Sequence, residues 1–134
     1  MTDARTWELD EPGVVLLAQL MALKIRKHDV IALRGDLGAG KTTFARALIR
    51  ALISDEAAEV PSPTFSLQQA YDSPRLRVTH VDFYRLADAG EARELGVEDA
   101  ALEGAVLVEW PERAAALMPA DRFEIVLAET RDST

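Results

Sequence analysis

The stretch VIALRGDLGAGKTTFARALIRALI, residues 30–53, decides the fold that this sequence predicts. Residues 30–33 form a short apolar run of the kind that makes a strand buried on both of its faces. Residues 42–53 place Phe44 and Leu48 one helical turn apart. A glycine-rich loop joins the two segments, so we expect a buried strand, a tight loop and a helix in direct succession.

The loop, residues 35–42, fits the pattern G-x-x-x-x-G-K-[ST], which is meaningful when a strand precedes it and a helix follows it. Its glycines let backbone N–H groups turn inward toward phosphates, and the positive end of the helix dipole points at the same place. Lys41 can reach the β- and γ-phosphates, and the Thr42 hydroxyl can bind Mg²⁺. We therefore predict a nucleoside triphosphate site. The contacting residues expected from this segment are Gly35, Asp36, Leu37, Gly38, Ala39, Gly40, Lys41, Thr42 and Thr43.

Helix-like and strand-like segments alternate along the rest of the chain, which favours an α/β layer architecture. Asp10 and Pro12 indicate the start of a first helix that continues to about residue 25. The other expected elements are strands at 5–9, 65–71, 76–83, 105–108 and 123–127 and short helices at 91–95 and 111–117. We predict an α/β fold of the P-loop NTPase three-layer type, with a mainly parallel central sheet and an antiparallel hairpin, in a single domain covering residues 1–134.

Two acidic residues follow strand-like segments and are candidates for the metal side of the site. Glu109 ends the apolar run 105–108, and Asp82 ends the less apolar run 77–81. Ligands of such folds lie at the carboxyl ends of the parallel strands, where a carboxylate is needed to hold Mg²⁺. Either acid could instead be an exposed residue that merely terminates a strand. The presence of the phosphate loop favours the functional interpretation.

Three further residues remain ambiguous from their local sequence. Thr64 follows two prolines and precedes the predicted hairpin. It could contact the γ-phosphate or belong to a rigid turn. Trp110 could cover the site or pack beneath the next helix. His80 is more readily interpreted as a structural histidine than as a base.

Composition limits the classes of function. The net charge of −8 opposes independent, strong nucleic-acid binding. The absence of cysteine excludes disulfides and thiolate metal sites, and two histidines are too few for a histidine metal cluster. The first ten residues lack a signal-peptide pattern and no apolar run is long enough to span a bilayer. We therefore expect a cytoplasmic protein without membrane contact.

Five blocks of sequence, taken in order, closely resemble the TsaE family, also called YjeE. They are GDLGAGKTTFARAL (35–48), SPTFSL (62–67), HVDFYRL (80–86), ELGVEDAAL (94–102) and LVEWPER (107–113). The resemblance implies a cytoplasmic bacterial ATPase that uses ATP and Mg²⁺. It also implies action with the TsaD and TsaB proteins in making N6-threonylcarbamoyladenosine at position 37 of tRNA. In that family TsaD performs the transfer, and tRNA is an indirect partner through the complex.

The same resemblance implies roles for the candidate residues. Lys41 matches the phosphate-binding lysine of the family, and Thr42 matches the hydroxyl that binds Mg²⁺. Asp82 and Glu109 match the acids needed for metal binding and hydrolysis. Lys41, Asp82 and Glu109 are thus expected to be catalytic, and Thr42, Asp82 and Glu109 to be metal ligands.

Two more residues gain a role from the family pattern. Thr64 lies in the block that matches a switch-like loop, and Trp110 matches the aromatic residue beside the second acid. The resemblance therefore implies that both contact the nucleotide.

Three alternatives share the phosphate loop. A small-molecule kinase must exclude water with an arginine-bearing lid, and no stretch is long enough to form one. A signalling GTPase is disfavoured because the chain has no N-K-x-D guanine motif. A nucleotide-controlled interaction module with slow hydrolysis fits the absence of an obvious arginine finger, and it overlaps with the role that the family implies.

Overall fold

The computed structural model describes residues 5–35, 40–61, 67–84, 86 and 88–129. Its first element is helix α1 (Glu11–Ala22), which begins as predicted, since the Asp10 carboxylate accepts a hydrogen bond of 2.9 Å from the backbone of Gly13. Residues 5–9 form no strand. The helix also ends earlier than residue 25. Arg75 donates hydrogen bonds to the carbonyls of Ala22 and Ile25, which satisfies backbone acceptors that a longer helix would have used.

The central sheet confirms the predicted fold class. It contains β1 (Val30–Gly35), β2 (Gln68–Tyr71), β3 (Val78–Asp82), β4 (Ala105–Glu109) and β5 (Phe123–Leu127). The strand order is β2-β3-β4-β1-β5. All neighbours are parallel except β2 and β3, which form the predicted antiparallel pair. The carboxyl ends of β1, β3 and β4 therefore meet at one edge of the sheet.

Helices cover both faces of the sheet and complete the three layers. On one face, α1 and α2 (Lys41–Leu52) pack on Ile31, Leu33 and Leu107 in a continuous apolar core. On the other face, a second core joins Val106 and Val108 to α3 (Ala89–Leu95) and α4 (Val97–Glu103). Because alternate residues of a strand point to opposite faces, the register decides which side chains lie beneath α2.

Both of the predicted short helices differ in detail from the structure. The expected helix at 91–95 is α3, capped by the Asp88 carboxylate, and it is followed directly by α4, which the sequence analysis did not predict. Gly96 adopts a left-handed conformation that ends one helix and starts the next. The expected helix at 111–117 is a 3₁₀ helix (Pro111–Leu117) interrupted by a non-helical conformation at Ala114.

Within the part of the chain that the structure describes, every helix is too short or too polar to cross a membrane.

Candidate functional site

The predicted phosphate loop lies between the end of β1 and the start of α2, as its sequence context requires. Gly40 precedes α2 with a φ of 96°, a left-handed conformation that glycine adopts without strain. Gly35 ends β1 with a φ of 148°, and a Cβ atom there would lie 2.4 Å from the carbonyl oxygen of Leu127. Glycine is therefore needed at Gly35 for the close approach of β1 to β5. The contact residues predicted at Asp36, Leu37, Gly38 and Ala39, and Thr64 further along, lie outside the described residues.

The first turn of α2 holds the next three candidates. Lys41 is only 5% exposed, and its Nζ lies 3.4 Å from the centroid of the Trp110 ring, a cation–π arrangement. Thr42 is exposed and Thr43 is half-buried. The structure thus places the hydroxyl of Thr42 at a helix N-terminus, where solvent or a ligand has access to it.

The two acids lie side by side at the edge where the strands end. Asp82, the last residue of β3, is the register partner of Glu109, the last residue of β4. Both occupy the sheet face that packs against α2, because Leu107 on that face lies two residues before Glu109. Glu109 is buried, at 6% exposure, and Asp82 is half-buried. The structure therefore brings together the two acids that the sequence singled out.

The environment of Asp82 disfavours its charged form. Burial raises the pKa of this carboxyl above its ordinary value, and the neighbouring Glu109 adds to the increase. The backbone N–H of Tyr84 donates a hydrogen bond of 2.8 Å to Asp82 Oδ1, and together with His80 and the charge of Lys41 it opposes the increase in pKa without cancelling it. Asp82 is consequently an acid whose ionised form would be favoured by a bound cation.

A buried histidine, which the sequence analysis treated as structural, contacts the second acid. His80 is 2% exposed, and its Nε2 lies 2.6 Å from Oε2 of Glu109. Within the described residues, its Nδ1 has no hydrogen-bond partner. The signal that could have revealed this contact is register: His80 lies two residues before Asp82 and shares its face of the sheet.

Two aromatic residues follow the acids closely in sequence and contact each other. The rings of Trp110 and Tyr84 are tilted by 45° with centroids 4.9 Å apart, and the guanidinium carbon of Arg113 lies 5.4 Å from the centroid of the Tyr84 ring. Trp110 has a φ of 57°, an uncommon conformation for a residue other than glycine. At this residue the backbone turns away from the direction of β4, and the indole ring lies beside Lys41.

The described residues can supply some of the ligands of Mg²⁺, with the remainder coming from phosphate and water. Among the described residues, no group of three or more histidine, cysteine, aspartate or glutamate side chains could hold a metal by itself. Mg²⁺ prefers oxygen ligands and is usually held by one or two carboxylates, substrate phosphates and water. The carboxylates of Asp82 and Glu109, together with the exposed Thr42 hydroxyl, supply oxygens of this type.

A groove of about 750 Å³ runs along α1 and α2, away from the two acids. Of the predicted nucleotide contacts, Thr43 lines it, together with Arg46 and Glu11. Concavity alone would direct attention to this groove. The chemistry of Lys41 and the acid pair instead places the candidate site at the sheet edge.

The fold and this edge together define the class of protein. A mainly parallel sheet between two helical layers, with a G-x-x-x-x-G-K-[ST] loop joining β1 to α2, is the arrangement of P-loop NTPases. The acids lie at the carboxyl ends of two neighbouring strands, where that class binds its ligand.

Comparison with known proteins narrows the class to a family. The family model for the threonylcarbamoyl adenosine biosynthesis protein TsaE matches residues 10–134. A tRNA threonylcarbamoyladenosine biosynthesis protein TsaE from Rickettsia bellii is 36% identical over 127 residues, covering 95% of this chain and 88% of the relative. The Rickettsia conorii protein of the same name is 39% identical over 111 residues, covering 83% of this chain and 63% of the relative. The chain belongs to the TsaE family.

A solved structure has the same fold. The crystal structure of Bacillus subtilis YdiB superposes with a TM-score of 0.76 at 28% sequence identity, covering 94% of this chain and 77% of that one. The chain spans less than two thirds of the length of the Rickettsia conorii relative. The superposition on YdiB, in contrast, covers almost all of this chain, and the two proteins share their fold.

Proposed function

We propose that this protein binds ATP with Mg²⁺, hydrolyses it slowly, and serves the bacterial machinery that makes N6-threonylcarbamoyladenosine in tRNA. In this proposal it acts in the cytoplasm with the TsaD and TsaB proteins and meets tRNA only through their complex. The observation that carries the proposal is the pairing of Asp82 with Glu109 beside the first turn of α2, in a chain of the TsaE family. The family membership supports the pathway, and the acid pair supports the ATPase chemistry.

Each residue at the sheet edge has a distinct task in this proposal. The Lys41 ammonium neutralises phosphate charge, and a triphosphate in the loop would compete for it with the ring of Trp110. Thr42, Asp82 and Glu109 would hold Mg²⁺ directly or through water. The ion supplies charge neutralisation at the β- and γ-phosphates.

Site variants test the ATPase part of the proposal. Lys41→Ala should abolish ATP binding measured by calorimetry, because the phosphates lose their buried cation.

Glu109→Gln should lower the hydrolysis rate about tenfold or more while ATP still binds, since it removes one charge from the metal side and keeps the side-chain shape. The exposed Glu98→Gln is the matched control and should behave as wild type. Unchanged turnover in Glu109→Gln would remove Glu109 from the metal side.

A further inference from the structure

The contact between His80 and Glu109 is built into the sheet and does not depend on a mobile surface side chain. Both side chains are almost fully buried, and they project from the neighbouring strands β3 and β4. His80 pairs in register with Leu107, two residues before Glu109, so its ring lies one step below the acid on the same face. The 2.6 Å separation of Nε2 and Oε2 is short even for a charge-assisted hydrogen bond.

The direction of this hydrogen bond follows from the carboxylate form that a metal ligand must have. A carboxylate can only accept, so in that form of the site Nε2 of His80 carries the proton that is donated to Oε2 of Glu109. Nδ1 is buried without a partner among the described residues. Of the two ring nitrogens, only Nε2 contacts a hydrogen-bond partner among the described residues.

We propose that His80 is a positioning residue for Glu109, holding Oε2 so that Oε1 is the carboxylate oxygen presented to the metal side of the site. The inference rests on the proposed ATPase function and adds a residue to it. Histidine and carboxylate partners behind a ligating group commonly fix its orientation and raise its effectiveness. A carboxylate free to rotate would present either oxygen and lose this preorganisation.

The competing interpretation is that His80 only fills the core. Leucine has a similar bulk, so a filler could be replaced by it with little consequence for the site. Glutamine differs in a useful way, because its amide nitrogen is separated from Cα by the same number of bonds as Nε2 of histidine and can also donate. His80→Gln should therefore retain the hydrogen bond to Glu109, and His80→Leu should lose it.

Thr79 provides a matched control on the same strand. It is buried, at 6% exposure, but it pairs in register with Val106 and therefore faces α3 and α4 on the opposite side of the sheet. Thr79→Val removes a buried polar group from β3 without altering the face that carries Asp82 and Glu109. It should leave ATP turnover unchanged, and its stability measures the general cost of altering a buried position of β3.

The experiment compares these three variants with wild type in two equilibrium measurements and one rate. Each folded variant is titrated with Mg²⁺ in the presence of a non-hydrolysable ATP analogue, and steady-state ATP turnover is measured in parallel. We expect His80→Leu to lose about 10- to 100-fold in Mg²⁺ affinity or turnover, the range found when such supporting partners are removed. Affinity for the analogue without Mg²⁺ should stay near the wild-type value, and His80→Gln should recover most of the loss.

Nitrogen NMR of the imidazole provides a readout that needs no ligand. In the nucleotide-free protein the His80 ring should carry its proton on Nε2, and the Nε2 signal should shift in Glu109→Ala. A proton on Nδ1 alone, or His80→Leu with wild-type Mg²⁺ affinity and turnover, would overturn the proposal. So would a folded His80→Gln that is as impaired as His80→Leu. If wild type hydrolyses no ATP, the proposed function fails, while the ring spectrum and the Mg²⁺ titration still decide the role of His80.

Discussion

At the residue scale, the site combines charges that the fold holds close together. Asp82 and Glu109 are adjacent across two strands, and two carboxylates at this spacing repel each other when both are ionised. The repulsion and the burial of Asp82 make the ligand-free site electrostatically unfavourable. A bound cation relieves both effects, so the same arrangement that lowers stability prepares the site for metal.

The raised pKa of Asp82 gives a stability prediction with a definite sign. A carboxyl whose pKa is higher in the folded state than in the unfolded state favours folding while it is protonated, below the unfolded pKa. This contribution is lost as the pH rises through the folded pKa. Asp82→Asn keeps an acceptor for the N–H of Tyr84 and cannot ionise, so it should be the more stable protein at neutral pH. The gap should be below about 1 kcal/mol because solvent screens a half-exposed group.

The measurement is denaturant unfolding of wild type and Asp82→Asn from pH 4 to pH 8, without nucleotide or Mg²⁺. The difference in unfolding free energy should grow with pH and shrink toward the acidic end. Asp121→Asn removes the same charge from an exposed position and controls for net charge. A larger gap at the acidic end than at pH 8 would contradict the assignment.

At the element scale, the contact of β1 with β5 depends on Gly35. A Cβ atom at this position would meet the carbonyl oxygen of Leu127 at 2.4 Å, and backbone cannot move aside as a flexible side chain can. Gly35→Ala should therefore destabilise the protein by about 2 kcal/mol or more, through forced separation of the strands and through its positive φ.

Gly40→Ala separates the two contributions to that cost. Gly40 also has a positive φ, but a Cβ atom there would meet nothing within 4 Å. Its replacement should cost only the conformational free energy of placing an L-residue at positive φ, about 1 kcal/mol. Chemical denaturation of both variants checks the prediction, and equal costs for the two would show that the close approach to Leu127 contributes nothing.

Elements with a clear hydrophobic pattern or a helix-capping residue could be predicted from the sequence, and others could not. Apolar runs predicted β1 and β4, and Asp10 and Pro12 predicted the start of α1. The local sequence does not reveal helix α4, because the left-handed conformation by which Gly96 both ends α3 and begins α4 is visible only in the folded chain. At the end of α1, the carbonyls of Ala22 and Ile25 accept hydrogen bonds from Arg75, 50 or more residues away in sequence, and the local pattern carries no information about these contacts.

Some features of the candidate site could likewise be predicted from the sequence, and one could not. The positions of Lys41, Thr42, Asp82 and Glu109 could be predicted because each ends a strand or lies in the first turn of a helix, and parallel strands bring such positions to one edge. The bond between His80 and Glu109 could not be predicted with equal ease, since it spans 29 residues and depends on the register of β3 with β4.

At the scale of the whole molecule, the protein is acidic and small, with a net charge of −8 over 134 residues. A surface of this charge is poorly suited to hold a tRNA backbone by itself. In the proposed role it does not need to, because partner proteins bind the RNA and this protein supplies a nucleotide-dependent change. Hydrolysis that waits for those partners would prevent futile consumption of ATP.

The most direct test of this account is the rate of ATP hydrolysis with and without the TsaB and TsaD proteins. We predict feeble turnover by the protein alone and a clear rise when both partners are added, with no rise for the Lys41→Ala variant under the same conditions. A rate that ignores the partner pair, or one that rises strongly with a small-molecule phosphate acceptor that is itself phosphorylated, would contradict the account.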